Sequence, residues 1–254
     1  MYKIQESFSM LTAAKPEFLK AYWDNSFDLK NHIQEFLQID RHTLETRIQE
    51  SNQAMTKLGQ NFDWEMAIEF YRDQVGATYI LELAAWHLKS CDYIGNMLHL
   101  IADFAKGRVL DFGGGIGTHS FAAALCPNVT EVQYLDVNPI NCNFVLERSE
   151  KLGLSDKIQV TSKLEIYNSF DTIMCFDVME HLPDPISQLI EFHKLLSSDG
   201  KLLINWYFSK GFGNEYPFHL DDTAIVKYFF QTLQSNFLEV FHPHLITTRC
   251  YQKL

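Results

Sequence analysis

The sequence is short of positive charge, of pairable cysteines and of long apolar runs, and each shortage closes off a class of function. Lys and Arg number 21 against 32 Asp and Glu, a formal charge of −11. A broad nucleic-acid footprint needs clustered cations, so no nucleic-acid partner is expected. The five cysteines, Cys91, Cys126, Cys142, Cys175 and Cys250, are odd in number and never spaced C-x-x-C. That excludes both a disulfide framework and a zinc cluster. Cys126, Cys142 and Cys175 sit among apolar residues and read as buried thiols of a reducing compartment. No run approaches the roughly 18 apolar residues of a membrane span, and the opening MYKIQESFSMLTAAKPEF has no long apolar leader core. A soluble cytoplasmic protein with no membrane contact is expected. Repeats and low-complexity tracts are absent too. What remains is ordinary globular material: 254 residues, 46% of them hydrophobic and 14% aromatic, enough to bury a large core.

The character of the chain changes at Lys106-Gly107. Before it, Phe18, Tyr22, Leu29, Ile33, Phe36 and Leu37 recur at helical intervals, and Leu44, Ile48, Met55 and Leu58 mark a further helix that Gly59 ends. Asp63 is placed to cap another, and the chain from Ala77 to Phe104 is strongly apolar. Four to five helices are expected, forming a cap over residues 1–105. After it, short β-branched runs alternate with helical ones over residues 106–254. Strands are expected at Arg108–Phe112, Val132–Asp136, Lys157–Val160, Phe170–Phe176 and Lys201–Phe208, and near Leu238–Phe241 and Ile246–Tyr251. Such alternation predicts an α/β fold, a doubly wound and mostly parallel sheet, with the last two strands as an antiparallel edge hairpin.

The first strand runs into Gly113-Gly114-Gly115-Ile116-Gly117. A glycine turn between strand and helix lets a ligand approach the backbone at the carboxyl edge of the sheet. The dinucleotide fingerprint G-x-G-x-x-G does not fit, because Thr118 stands where its third glycine belongs. Asp111, just before the loop, would repel a pyrophosphate and suits a ligand with a positive amino group. No G-x-x-x-x-G-K-[ST] pattern occurs here either. The second strand ends in Asp136, about 20 residues past the loop, where a carboxylate can accept two hydrogen bonds from ribose hydroxyls.

Together, Val109 to Thr118, Leu135 to Pro139 and Phe170 to Pro185 resemble three motifs of the class I S-adenosylmethionine-dependent methyltransferases, in the branch that includes quinone and other small-molecule methyltransferases. The resemblance covers Lys106 to the C-terminus and implies a seven-stranded Rossmann-like fold. It also implies a set of cofactor contacts. Asp111, Gly113, Gly115, Gly117 and Thr118 would hold the methionine moiety. Asp136 would hold the ribose, with Val137 against the adenine. Phe176 and Asp177 would line the sulfonium end. The segment Val160 to Glu165 lacks the aspartate that often meets the adenine amine in this family, so Ser162, Leu164 or a carbonyl would serve instead. S-adenosylhomocysteine would be the product.

Asp177, Glu180 and His181 are spaced i, i+3, i+4 and would share a face of a helix. Three readings stay open: a Mg²⁺ or Mn²⁺ site, as in relatives with E-x-x-E-H at this place, a general base in His181, and structural support. His219 is a second base candidate. The aromatic segment Trp206-Tyr207-Phe208 and the loop through Tyr216 would wall an acceptor pocket, with Tyr71 and Arg72 reaching in from the cap. The expected reaction is methyl transfer to an O or N atom of a small, natural-product-like acceptor of secondary metabolism. A peptide or protein acceptor, and cofactor binding without turnover, are the alternatives. A homodimer is compatible with the sequence.

Overall fold

The computed structural model describes residues 15–164, 169–245 and 247–254. Glu165 and Ile246, both inside segments read from the sequence, lie outside the described residues, as does the opening stretch 1–14.

Among the described residues, six α-helices precede the sheet, separated by irregular turns: α1 (Lys20–Asn25), α2 (Leu29–Leu37), α3 (Arg41–Leu58), the short α4 (Ala67–Glu69), α5 (Gly76–Lys89) and α6 (Cys91–Phe104). The Asp40 side chain caps α3 by accepting from the Thr43 amide, and Gly59 ends it, as expected. Asp63 does cap a turn, accepting from the Glu65 amide. The turn is 3₁₀, and α4 continues into a π-helical stretch over Phe70–Gln74 rather than a regular helix. The apolar run from Ala77 to Phe104 is broken in two at Ser90.

The sheet follows: β1 (Gly107–Phe112), α7 (Thr118–Leu125), β2 (Val129–Leu135), α8 (Pro139–Lys151), β3 (Ile158–Thr161), β4 (Phe170–Cys175), α9 (Pro185–Leu195), β5 (Leu196–Asn205), α10 (Thr223–Asn236), β6 (Phe237–Val240) and β7 (Thr248–Lys253). The strand order is β3-β2-β1-β4-β5-β7-β6. β1 to β5 pair in parallel, and β7 runs antiparallel to both its neighbours. The expected antiparallel pair of the last two strands lies at one edge of the sheet. Within it β7 sits between β5 and β6, so β6 forms that edge and β3 the opposite one. β5 also begins earlier than expected. Its pairing jumps from Phe170↔Leu196 to Thr172↔Lys201, so the Asp199-Gly200 pair is a bulge inside the strand and not a turn before it.

Alternation along the strands fills both faces. Val109, Met174 and Leu203 pack with α6 and α7; Leu110, Ile173 and Leu202 pack with α9 and α10. Because α6 and α1 share the first of these clusters, the helical region is built into the core rather than hinged beside it. α2, α3 and α5 form a third cluster that includes Ile116 of the glycine loop and Phe144 of α8. That contact sets α5 over the carboxyl edge of the sheet.

Candidate active site

Two regions meet at this edge. The first is the floor formed by β1 and β2. Gly113, Gly115 and Gly117 hold φ of 71°, 53° and 81°, a left-handed backbone that disfavours side chains. A Cβ on Gly114 would stand 2.5 Å from the Tyr134 ring. Asp136 is buried and its acceptor sites are taken: it accepts from the amides of Gly115 (2.9 Å) and Asn138 (2.8 Å) and from Asn141 Nδ2 (3.3 Å). Burial pushes its carboxyl up to about 6, against the pull of those hydrogen bonds. Asp111 accepts from Ser120 Oγ at 2.6 Å, and burial raises it to about 7. Tyr134 Oη donates to the Gly115 carbonyl. Thr118 is buried as the first residue of α7, while Val137 and Ser162 are exposed beyond β2 and β3.

A narrow cavity of about 40 Å³ lies over this floor, lined by Gly113 to Ile116, Phe176 and α5. Two imidazoles face it. His87 of α5 and His119 of α7 are buried with rings 5.7 Å apart, and His87 Nδ1 and His119 Nε2 have no hydrogen-bond partner. Burial lowers both, His119 to about 4. Neither was among the sequence candidates, since a lone histidine on an apolar helix carries no motif.

The second region is a chamber of about 410 Å³ between α3, α5, the turn 177–181 that follows β4, and the segment 206–219. It shares Tyr79, Leu83, Trp86 and Asp177 with the narrow cavity, so the two adjoin across these side chains. Tyr71, Trp206, Tyr207 and Tyr216 all line it. Arg72 does not: its guanidinium is exposed and paired with Asp73 at 2.8 Å.

The expected common face of Asp177, Glu180 and His181 is corrected, because the helix there is a single 3₁₀ turn, Met179–His181. Asp177 precedes it at φ 54°. Its Oδ1 is held by Asn205 Nδ2 (2.7 Å) and Tyr93 Oη (3.3 Å). His219 takes its place beside the other two, with ligand atoms of Glu180, His181 and His219 within 4.8 Å of one another. His219 Nδ1 faces the Tyr207 carbonyl at 2.9 Å, so it carries the proton and Nε2 keeps its lone pair. His181 Nδ1 lies 3.2 Å from the Phe218 carbonyl and 3.0 Å from Tyr71 Oη, which frees its Nε2 in the same way. Burial and the neighbouring His219 lower His181 to about 3. Glu180 is buried with Oε2 unpartnered, and burial and Asp177 raise its carboxyl. Two imidazoles and a carboxylate are a donor set that divalent transition metals accept; the same groups can move a proton.

The family model described as "Methyltransferase domain" matches residues 86–223, more than half of the chain. The ubiquinone biosynthesis O-methyltransferase of Xanthomonas oryzae pv. oryzae (strain PXO99A) is 30% identical over 122 residues, 45% of this chain and 47% of that protein. Phosphoethanolamine N-methyltransferase 1 of Arabidopsis thaliana is 36% identical over 103 residues, 39% of this chain and 21% of that protein. The chain thus spans about half, or less, of the length of these curated relatives. Among solved structures, an O-methyltransferase family protein from Burkholderia thailandensis superposes with TM-score 0.54 at 13% identity, over 76% of this chain and 63% of that one. The N-methyltransferase NodS from Bradyrhizobium japonicum WM9 gives 0.51 at 11% identity, over 69% and 94%. These superpositions speak to the fold.

Proposed function

The chain belongs to the methyltransferase-domain family, and from that premise we propose that it transfers a methyl group from S-adenosylmethionine to an O or N atom of a small-molecule acceptor. The observation that carries this reading is the junction at Tyr79, Leu83, Trp86 and Asp177, where a glycine-floored crevice adjoins an aromatic chamber. The donor supplies an activated methyl group on a sulfonium. The chain's task is then to align an acceptor with it and keep water out.

The donor fits what lines the crevice. Asp136 would receive the ribose hydroxyls, giving up the Asn141 contact, with Val137 and Ser162 beside the adenine. Gly113, Gly115, Gly117 and Thr118 would carry the amino-acid tail, and Asp111 would act from behind through Ser120. The unpartnered His87 and His119 would donate to the tail's carboxylate. Phe176 and Asp177 would flank the sulfonium. The space over the glycines is narrow, so donor entry requires α5 to move outward, and residues 1–105 serve as a lid on the donor-binding core 106–254. His181 and His219 are the bases for an acceptor that must lose a proton. All five cysteines are unpaired, in keeping with a reducing cytoplasm.

Calorimetry with S-adenosylhomocysteine, followed by mass spectrometry of candidate acceptors incubated with the donor, tests the reading. Saturable one-to-one binding and a product heavier by one methylene unit are expected. Absence of binding overturns it, and binding with no product across acceptor classes would make the chain a cofactor-binding protein without turnover.

A further inference from the structure

The chamber's walls are unbalanced in charge. Four carboxylates line it, Glu82, Asp177, Glu180 and Glu215, while no Lys or Arg does so among the described residues. Burial lowers both of its histidines and raises Glu82 and Glu180. Two of the acids are also unsatisfied. Glu82 of α5, half-buried, makes no hydrogen bond or ion pair among the described residues, and Glu180 Oε2 is buried without a partner. Between the carboxylates stand the faces of Tyr79, Trp86 and Trp206 and the rest of an aromatic wall. The orphaned, buried Glu180 Oε2 requires a donor, and aromatic rings attract a desolvated cation.

Resting on the methyltransferase reading, we propose that the acceptor is a cationic amine with an apolar or aromatic body, and that the transfer is to nitrogen. A phosphate or carboxylate on the acceptor would meet acids and, among the described residues that line this chamber, no Lys or Arg. A phenol would offer one donor and leave the remaining acids uncompensated. A divalent ion on Glu180, His181 and His219 would answer one corner of the chamber, but not Glu82 or the rings. In the reaction the ammonium gives a proton to a chamber carboxylate, and the freed nitrogen lone pair forms the bond to the methyl carbon. The carbon–sulfur bond breaks with its electron pair going to sulfur, leaving a neutral thioether. The product is a methylated ammonium, and the displaced proton leaves by way of His219, at the chamber's mouth beside the exposed Tyr207 and Tyr216.

The test uses the full chain with S-adenosylhomocysteine bound, which first confirms the donor site independently. Matched triplets are then titrated by calorimetry: tryptamine, tryptophol and indole-3-propionate, together with the corresponding phenyl and n-hexyl amines, alcohols and acids. The amines are expected to bind about 10-fold or more tighter than the alcohols, the worth of a charge-assisted hydrogen bond, and the acids not at all. Glu82→Gln is expected to erase most of the amine preference while leaving S-adenosylhomocysteine affinity unchanged. The proposal fails if donor-product binding is intact and the amines do not bind, if alcohols or acids match them, or if the preference survives Glu82→Gln. It also fails if Mg²⁺ or Mn²⁺ displaces the amines competitively, since the acids would then be serving a metal.

Discussion

The floor and the chamber are both lined with buried acids, and they treat them in opposite ways. On the floor, both Asp136 oxygens are engaged, by Gly115, Asn138 and Asn141, and Asp111 Oδ2 is engaged by Ser120. In the chamber, Glu82 has no partner and Glu180 keeps an orphaned oxygen. A carboxylate satisfied by protein holds a structure in place, whereas an unsatisfied one costs stability and persists where a ligand will complete it. The first region is a preformed seat; the second is a recognition surface whose polar partners are to come from outside.

Mutations can break or sharpen this contrast. The largest effect is expected beside the floor. Arg148 is fully buried and donates to the carbonyls of Ile116 (2.7 Å), Phe27 (3.0 Å) and Ser26 (3.3 Å). Arg148→Met strands three carbonyls, at about 1–3 kcal/mol for each buried unsatisfied group, so the melting temperature should drop by roughly 6 °C or more, measured calorimetrically. Next, Asp136→Ala should weaken S-adenosylhomocysteine binding about 100-fold and lower the melting temperature as well; unchanged affinity would remove the ribose assignment. In the chamber the sign should reverse. Burial and Asp177 raise the Glu180 carboxyl, so Glu180→Gln removes an acid whose charged form is disfavoured, and the unliganded variant should melt increasingly higher than the natural chain as the pH rises, while methyl transfer falls; a lower melting temperature would mean that Glu180 is a structural acid like Asp136.

A pH series refines the point. Burial raises Glu82 to about 7 from an ordinary 4.5. Its folded pKa lies above its unfolded one, so its contribution to stability is whole below about 4.5 and is lost as the pH rises to about 7. The melting-temperature advantage of Glu82→Gln over the natural chain should therefore grow between those limits and level off above them. The smallest effect belongs to Arg72. Arg72→Ala should leave acceptor KM within about twofold, as an exposed ion pair is worth little.

How much the sequence foretold follows the same division. The floor was legible because backbone constraint writes itself into residue type: three left-handed positions favoured glycine, and the acid at the end of β2 accepts from the glycine-loop amide of Gly115. The chamber was legible only in its aromatics. Glu82 looked like an ordinary helical glutamate, and His219 could join Glu180 and His181 only through a loop closure that no local pattern encodes. Asp177 was misplaced for a local reason. Three residues of helical spacing suggested a shared face, but a positive φ at Asp177 turns it away toward Asn205 and Tyr93. The insertion of β7 between β5 and β6 was likewise invisible, since both strands have the same character wherever they lie in the sheet.

Arg148 ties these parts together in a way that bears on how such proteins can be recombined. Ser26, Phe27 and Asp28 are three successive non-glycine residues in left-handed conformation, and the guanidinium that grips two of their carbonyls also grips the glycine loop. The helical segment that shapes the acceptor chamber is thus fastened to the donor seat by one side chain of α8. A chimaera that grafted a foreign lid onto this core would leave that cation with the Ile116 carbonyl but without the Ser26 and Phe27 carbonyls that now receive its other protons. New acceptor specificities for this scaffold should therefore be sought on the inner surface of α5 and in the segment 206–219, with the lid's anchorage kept as it is.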